Sequence, residues 1–409
     1  MKLIYCLTIL ICPLVSRCQS VKPITVGDNV PDITITNMLN SGVSSSGIAA
    51  YKGKILILDF MSTGCVPCIR VLPLLDSLQM KFQSRIQIIL VTAEAPQRVQ
   101  SFLKMNPELK LPIVAADSTL AKLFPHVYIS HIAWIGPSGI VRGITHSEYI
   151  NTKNIDALLQ GQKVKWPVKR DVTTFDYKQT LFSINENNIP EFSLPSREFY
   201  TAFTNYMPGI QKYNDISEDS ARHVLHVSFI NRSIIELYLL LYQHFHLPLS
   251  QVSAGVKAWN RLVYNPADGY YDDWMDKNFY CMDALIPEGT PWPLLQKKLV
   301  SDCNFFLGLQ GKMEKRLVDC LVLKNKNASI NKKAGKGNGL RVGMITYLLN
   351  NVLGNVPVID ETTGTTYLTI PIPEQKVKEG PYLSKALAQY GLELVPEKRE
   401  LEFLVITEP

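Results

Sequence analysis

The chain has 409 residues, more than a single hydrophobic core organises, so two or three domains are expected. Hydrophobic residues make up 46% and charged residues 19%, the balance of an ordered globular protein rather than a disordered one. The net charge of +6 is mild for this length and comes with no nucleic-acid-binding motif, so nucleic acid is not an expected partner.

The first twenty residues, MKLIYCLTILICPLVSRCQS, place Lys2 ahead of an apolar stretch at 3–15, followed by Cys18, Gln19 and Ser20. A positive start, a short apolar centre and small residues at the end match a cleaved secretory signal over residues 1–20, with the mature chain periplasmic or secreted. A lipoprotein signal with Cys18 lipidated is the second reading, and Arg17 beside it fits poorly. No later stretch is apolar enough to span a membrane. Removal of the signal takes Cys6, Cys12 and Cys18 and leaves Cys65, Cys68, Cys281, Cys303 and Cys320. Export places these where disulfides persist, and an odd count leaves at least one thiol unpaired within a monomer.

Between residues 27 and 160 strand and helix signals alternate. Residues 54–60, KILILDF, form a short and nearly all-apolar run, as in a strand buried on both faces. From Cys68 to Phe82, apolar Ile69, Leu72, Leu75, Leu78 and Phe82 recur at helical spacing, with Pro73 as a kink point. Residues 86–91 predict a second buried strand and 96–105 a helix. Residues 131–135 and 140–144 predict two strands around the turn 136–139, and 154–159 begin a last short helix. A central sheet covered by helices follows.

Residues 164–190 then shift in composition and are expected to link an N-terminal α/β domain, 21–163, to a C-terminal α+β domain, 191–409. In the latter, 223–229 predicts a strand, and Ser233 with Glu236 fits a capping box that opens a helix to about residue 245. Further helices are expected at 292–306, 341–353 and 382–390, strands at 315–323 and 366–370, and a final hairpin at 392–395 and 401–406. The polar, basic stretch 324–339 is expected to be a loop.

The segment DFMSTGCVPCIR, residues 59–70, carries the chemistry. Its two cysteines lie between a buried strand and the first turn of a helix. Unpaired backbone N–H groups and the positive end of the helix dipole favour thiolate there, which lowers the pKa of the first cysteine. Cys65 is then the exposed nucleophile. Cys68, one turn further in, resolves the mixed disulfide.

The longer stretch LILDFMSTGCVPCIRVLPLLDSL resembles the active-site segment of the thioredoxin superfamily, nearest to its exported TlpA-like thiol–disulfide oxidoreductases. GDNVPD at 27–32 resembles their N-terminal strand, and Pro73, five residues after Cys68, matches their helix-kinking proline. The likeness covers about residues 24–163 and implies an α/β thioredoxin-like domain. By that resemblance Cys65 and Cys68 form the redox-active disulfide. Asp59 matches the buried acid beneath the dithiol, placed to take a proton from Cys68, with a plain core hydrogen bond as its other reading. Protein thiols and disulfides are the implied substrates, with an upstream electron donor and no cofactor. Association with the cell envelope is a further expectation of export.

Three positions depart from the family. Gly64 stands where tryptophan is usual, Val71 where many TlpA-like proteins carry glutamate, and Ile129-Ser130 where a cis-proline loop should handle substrate. A non-proline cis peptide costs about 2.5–4 kcal/mol, so a trans Ile129–Ser130 bond is expected. These departures motivate the alternative of a redox-inactive scaffold or binding protein with a structural Cys65–Cys68 bridge. Zinc is a lesser rival, since CVPC supplies two of four ligands and only His126 and His131 lie near. No metal is therefore assigned. A peroxidase reading lacks its motif.

In the second half, the acidic stretch 268–276 is expected to be a solvated turn. Cys281, Cys303 and Cys320 are either one disulfide with a free thiol or buried apolar cysteines. The stretches MEKRLVDCLVLKNKNA, ITYLLNNVLGNVPVIDETTGTTYLTI and LSKALAQYGLELVPEKRELEFLVI, within residues 190–409, are similar to an uncharacterised domain of secreted proteins from soil bacteria, and no chemical role carries over from it.

Overall fold

The computed structural model describes residues 22–172, 174–182, 198–255, 257, 259–326, 340–352, 354–362, 369–370, 372 and 376–409. The secretory-signal reading of residues 1–20 lies outside the described residues. The chain forms two compact units, 1–173 and 174–409. Among the described residues, no helix is long and apolar enough to cross a membrane.

The first unit runs β1 (Thr34–Ile35), β2 (Met38–Leu39), β3 (Ser46–Gly47), β4 (Ile55–Phe60), α1 (Val66–Phe82), β5 (Ile86–Val91), α2 (Pro96–Met105), β6 (Ile113–Val114), α3 (Leu120–Leu123), β7 (His131–Ile135), β8 (Val141–Thr145) and α4 (Thr152–Leu159). Six strands make one sheet in the order β2-β6-β5-β4-β7-β8. β4 lies inside it, parallel to β5 and antiparallel to β7. All six of its residues are buried, which explains why ILILDF shows no alternation. Leu56, Leu58 and Phe60 join one core with Ile89, Val91, Ala133 and the α3 residues Leu120 and Leu123. Successive side chains alternate across a strand, so Ile55, Ile57 and Asp59 take the opposite face. α1 buries Cys68, Leu72, Leu75, Leu78 and Phe82 along one stripe and carries Pro73 inside it. A mixed sheet, a helix straight after its central strand and a closing β7–β8 hairpin give the expected α/β thioredoxin-like arrangement.

Residues 164–172, within the stretch expected to link the domains, lie against this unit. The Trp166 ring sits 4.8 Å from that of Trp134, and the Lys169 N–H donates to Ile144 O at 2.8 Å.

The second unit is α+β. It contains β9 (Tyr200–Asn205), β10 (Tyr213–Asp219), β11 (Val224–Ser233), α5 (Ile234–Leu241), β12 (Val252–Gly255), α6 (Tyr271–Asn278), β13 (Phe279–Pro287), α7 (Trp292–Leu307), β14 (Gln310–Asn325), β15 (Leu340–Arg341), α8 (Val342–Asn350), β16 (Val358–Asp360), β17 (Thr369–Ile370), α9 (Gly380–Ala388) and β18 (Leu392–Thr407). Its larger sheets run β10-β11-β13-β9 and β12-β18-β14-β16. α5 and α7 share a core with Val227, Phe229, Met282 and Ala284 of the first sheet and Leu404 and Ile406 of the second. The Ser233–Glu236 capping box forms as expected.

Three expectations change here. The final hairpin is instead one strand, β18, paired with β14 along its whole length. Pro396 lies where β12, which reaches only Leu404–Thr407, leaves β18 a partner on one side, the place a strand tolerates proline. The acidic stretch is mostly helical, since Asp272, Asp273 and Asp276 belong to α6. Cys281, Cys303 and Cys320 are all buried and unpaired, which is the apolar-cysteine reading and not a disulfide.

Candidate functional site

The register of the sheet assembles the site. Phe60, the last residue of β4, lies beside Val91 of β5 and opposite His131, the first residue of β7. The loops leaving β4 and β5 and the loop entering β7 therefore meet at one end of the sheet. The β4 loop leads into α1, whose N-cap is Cys65.

Cys65 and Cys68 are joined by a disulfide with their Cα atoms 5.3 Å apart. Cys65 is half-buried, while Cys68 is 3% exposed. The sulfur of Cys65 accepts the Cys68 N–H at 3.3 Å, satisfying one of the amides that a helix start leaves unpaired. Pro67 falls in the first helical turn, where its missing N–H costs nothing. After reduction, the same amide and the helix dipole would favour the Cys65 thiolate. An outer and an inner sulfur at a helix start is an arrangement able to undergo thiol–disulfide exchange.

Asp59 is buried in the central strand, and its Oδ1 has no hydrogen-bond partner. The plain core hydrogen bond is thus not seen at that oxygen. Burial pushes its carboxyl up to about 7, because a charge away from water is penalised.

The loop ahead of Cys65 is braced by a residue that the sequence reading did not single out. Glu94 Oε2 accepts the Thr63 N–H at 2.9 Å, and Oε1 accepts the Ser62 hydroxyl at 3.1 Å. The Nε of Arg98 lies 2.9 Å from Glu94 Oε1 and donates to Thr63 Oγ1 at 3.1 Å. Burial acts to raise the Glu94 carboxyl, yet these donors and the Arg98 charge hold it below the usual range. The one signal in the sequence was the four-residue spacing of Glu94 and Arg98.

On the β7 side, Val127 and Ile129 are exposed. The Ile129–Ser130 peptide is cis, which corrects the trans expectation. That expectation weighed the peptide alone, whereas contacts from two other segments set the loop's geometry. Ser130 Oγ accepts the Ser147 N–H at 2.9 Å. Asp171 Oδ2 accepts the N–H groups of Val127 at 2.8 Å and Tyr128 at 3.0 Å, and Lys169 Nζ donates to Tyr128 O at 2.9 Å. Nothing in the sequence marked Lys169 and Asp171.

His131 is pushed down to about 3, first by burial and then by the Lys169 charge. Its ring stacks on His126 at 4.6 Å and meets Phe60 edge-on. Among the described residues, no group of three or more His, Cys, Asp or Glu is arranged to hold a metal ion.

No family model matches the sequence, and no curated protein matches it. Solved structures are similar over about a third of the chain. The thioredoxin domain of a thiol-disulfide oxidoreductase from Bacteroides vulgatus is 19% identical, covering 34% of this chain and 98% of that one, with a TM-score of 0.28. A thiol:disulfide interchange protein of the thioredoxin family from Chlorobium tepidum is 22% identical, covering 33% and 99%, with a TM-score of 0.28. A thioredoxin-like superfamily protein is 18% identical, covering 32% and 96%, with a TM-score of 0.29. The thioredoxin-like reading of the first unit rests on its strand order and on where the CVPC disulfide sits within it.

Proposed function

We propose that this chain is an exported thiol–disulfide oxidoreductase working as a disulfide reductase. The observation that carries the proposal is the disulfide between a partly exposed N-cap residue, Cys65, and a buried one, Cys68. In the reduced enzyme the Cys65 thiolate attacks a substrate disulfide. A Cys65–substrate bond forms, and the substrate's other sulfur leaves as thiolate, taking up a proton. Cys68 then loses its proton to Asp59 and attacks the Cys65 sulfur. The mixed disulfide breaks, the second substrate thiol is released, and Cys65–Cys68 is oxidised. An upstream dithiol donor returns two electrons and two protons.

Several features support these roles. Asp59, raised to about 7, is matched to proton transfer near neutral pH. Ile129 and Ser130 enter β7 at the same sheet end as the dithiol and would bind the substrate backbone. The C-terminal unit would position the target. Cys65 keeps part of its surface in solvent while Cys68 is buried, which favours this reading over a structural bridge.

The test is thiol trapping of the purified chain across a glutathione redox series, read by mass on the peptide holding both cysteines. A reversible transition near or above the thioredoxin potential, roughly −270 mV, is expected. A pair that stays oxidised in the folded protein under strongly reducing conditions would sink the proposal and leave the scaffold reading.

A further inference from the structure

Arg98 stands beside Gly64 in the loop that leads to the dithiol. Its Nη2 lies 3.7 Å from where a side chain on Gly64 would begin, one residue before Cys65. Gly64 itself places no atoms there, so the guanidinium has open access to the backbone next to the disulfide. Arg98 and its counter-charge differ in exposure. The Arg98 side chain is 63% exposed and that of Glu94 18%. Glu94 spends its oxygens inward, on Ser62, Thr63 and the Arg98 Nε. The ion pair thus shows its positive end to solvent. Among the described residues no acceptor is shown for Arg98 Nη1 and Nη2, and together they form the planar fork that grips a carboxylate with two bonds. No acidic residue lies in the first turn of α1, which follows Cys65. Val66, Val127 and Ile129, all exposed, supply apolar surface at the same sheet end but no discrimination by charge.

We propose that Arg98 is the specificity-determining residue of the site and selects protein disulfides flanked by an acidic residue. Its Nη fork pairs with that carboxylate while Cys65 attacks the neighbouring sulfur. This deepens the oxidoreductase reading and rests on it. Complementary charge at an exposed position acts on encounter and register more than on the chemical step.

Two synthetic disulfide peptides, identical but for Glu or Lys beside the cysteine, separate selection from mere bracing of the loop. The full chain, kept reduced by a dithiol donor, should reduce the Glu peptide with about 2- to 5-fold higher kcat/KM at low salt, the range of an exposed ion pair. The preference should shrink as salt rises. Arg98→Ala should bring the ratio to one, Arg98→Glu should invert it, and Arg98→Lys should keep part of it. If every variant slows both peptides alike with the wild-type ratio intact, Arg98 only holds the loop and the proposal is overturned. A wild-type ratio of one alongside normal reduction of insulin overturns it too, with the oxidoreductase reading standing. Failure to reduce insulin or either peptide overturns that reading and this inference with it.

Discussion

The Lys169 ammonium lies 2.8 Å from the Asp171 carboxylate, both side chains almost fully buried at 2% and 7% exposure, and the pair grips the backbone of Val127 and Tyr128. Two residues from the C-terminal end of the first unit thereby hold the loop that enters β7. Burial works to raise the Asp171 carboxyl, yet the Lys169 bond and the two backbone amides keep it below the usual range.

Removing one partner of such a pair leaves the other as an uncompensated buried charge. Lys169→Met should cost about 3–5 kcal/mol. Lys169→Met with Asp171→Asn should recover at least half of that, because asparagine can still accept the two amides while carrying no charge. Urea unfolding followed by Trp134 and Trp166 fluorescence reads both; equal losses in the single and double variants would show that charge is not the cause.

Asp59 makes the first unit's stability pH-dependent. Its folded pKa of about 7 lies above the ordinary 3.8, so between those values the folded state holds more protons than the unfolded one. Stability is highest below about pH 4, falls as pH rises, and completes its fall above about pH 7. The total is at most about 4 kcal/mol. Asp59→Asn should flatten this slope, so its urea midpoint should exceed wild type at pH 8 and match it near pH 4.

Under the proposed mechanism Asp59→Asn also slows resolution by Cys68, by roughly 10²-fold for a lost proton acceptor. Attack by Cys65 should be unchanged. Single-turnover reduction of a labelled disulfide would then show a normal first phase and a delayed second one.

Cys65→Ser should abolish turnover, whereas Cys68→Ser should attack and stall as a covalent adduct. Non-reducing gels of Cys68→Ser incubated with a disulfide substrate should show a thiol-sensitive conjugate that Cys65→Ser does not form. Full reductase activity in both variants would remove the dithiol mechanism.

In the second unit, a Cβ at Gly311 would begin 2.4 Å from the Tyr238 ring. That ring is fully buried, and its hydroxyl donates to Asn304 Oδ1 at 2.8 Å, which also accepts the Gly311 N–H at 3.0 Å. Gly311→Ala should cost about 1–3 kcal/mol by overpacking. Gly380, with nothing within 4 Å of such a Cβ, should accept alanine within about 0.5 kcal/mol. Thermal melts compare the two.

Features that depend on near neighbours are legible along the chain. The apolar run of β4, the stripe Leu72, Leu75, Leu78 and Phe82 of α1, the strands about 136–139 and the Ser233–Glu236 cap all follow from local spacing, and each is present. Periodicity and capping act over a few residues, so they can be read along the chain. The adjacency of Cys65 and Cys68 is equally local. The remaining features depend on residues far apart in sequence and emerge only when the chain is folded. Pairing with β14 carries β18 through Pro396 and the charges beyond it, where no apolar pattern continues. Glu94 reaches back 31 residues to Thr63. Lys169 and Asp171 meet Val127 and Tyr128 across 41 to 44 residues and hold the loop whose Ile129–Ser130 bond is cis. Composition over 164–172 suggests a linker, since a buried ion pair and the Trp166 contact leave no local pattern. The energy that orders such segments comes from burial and from hydrogen bonds to partners that the neighbouring residues do not announce.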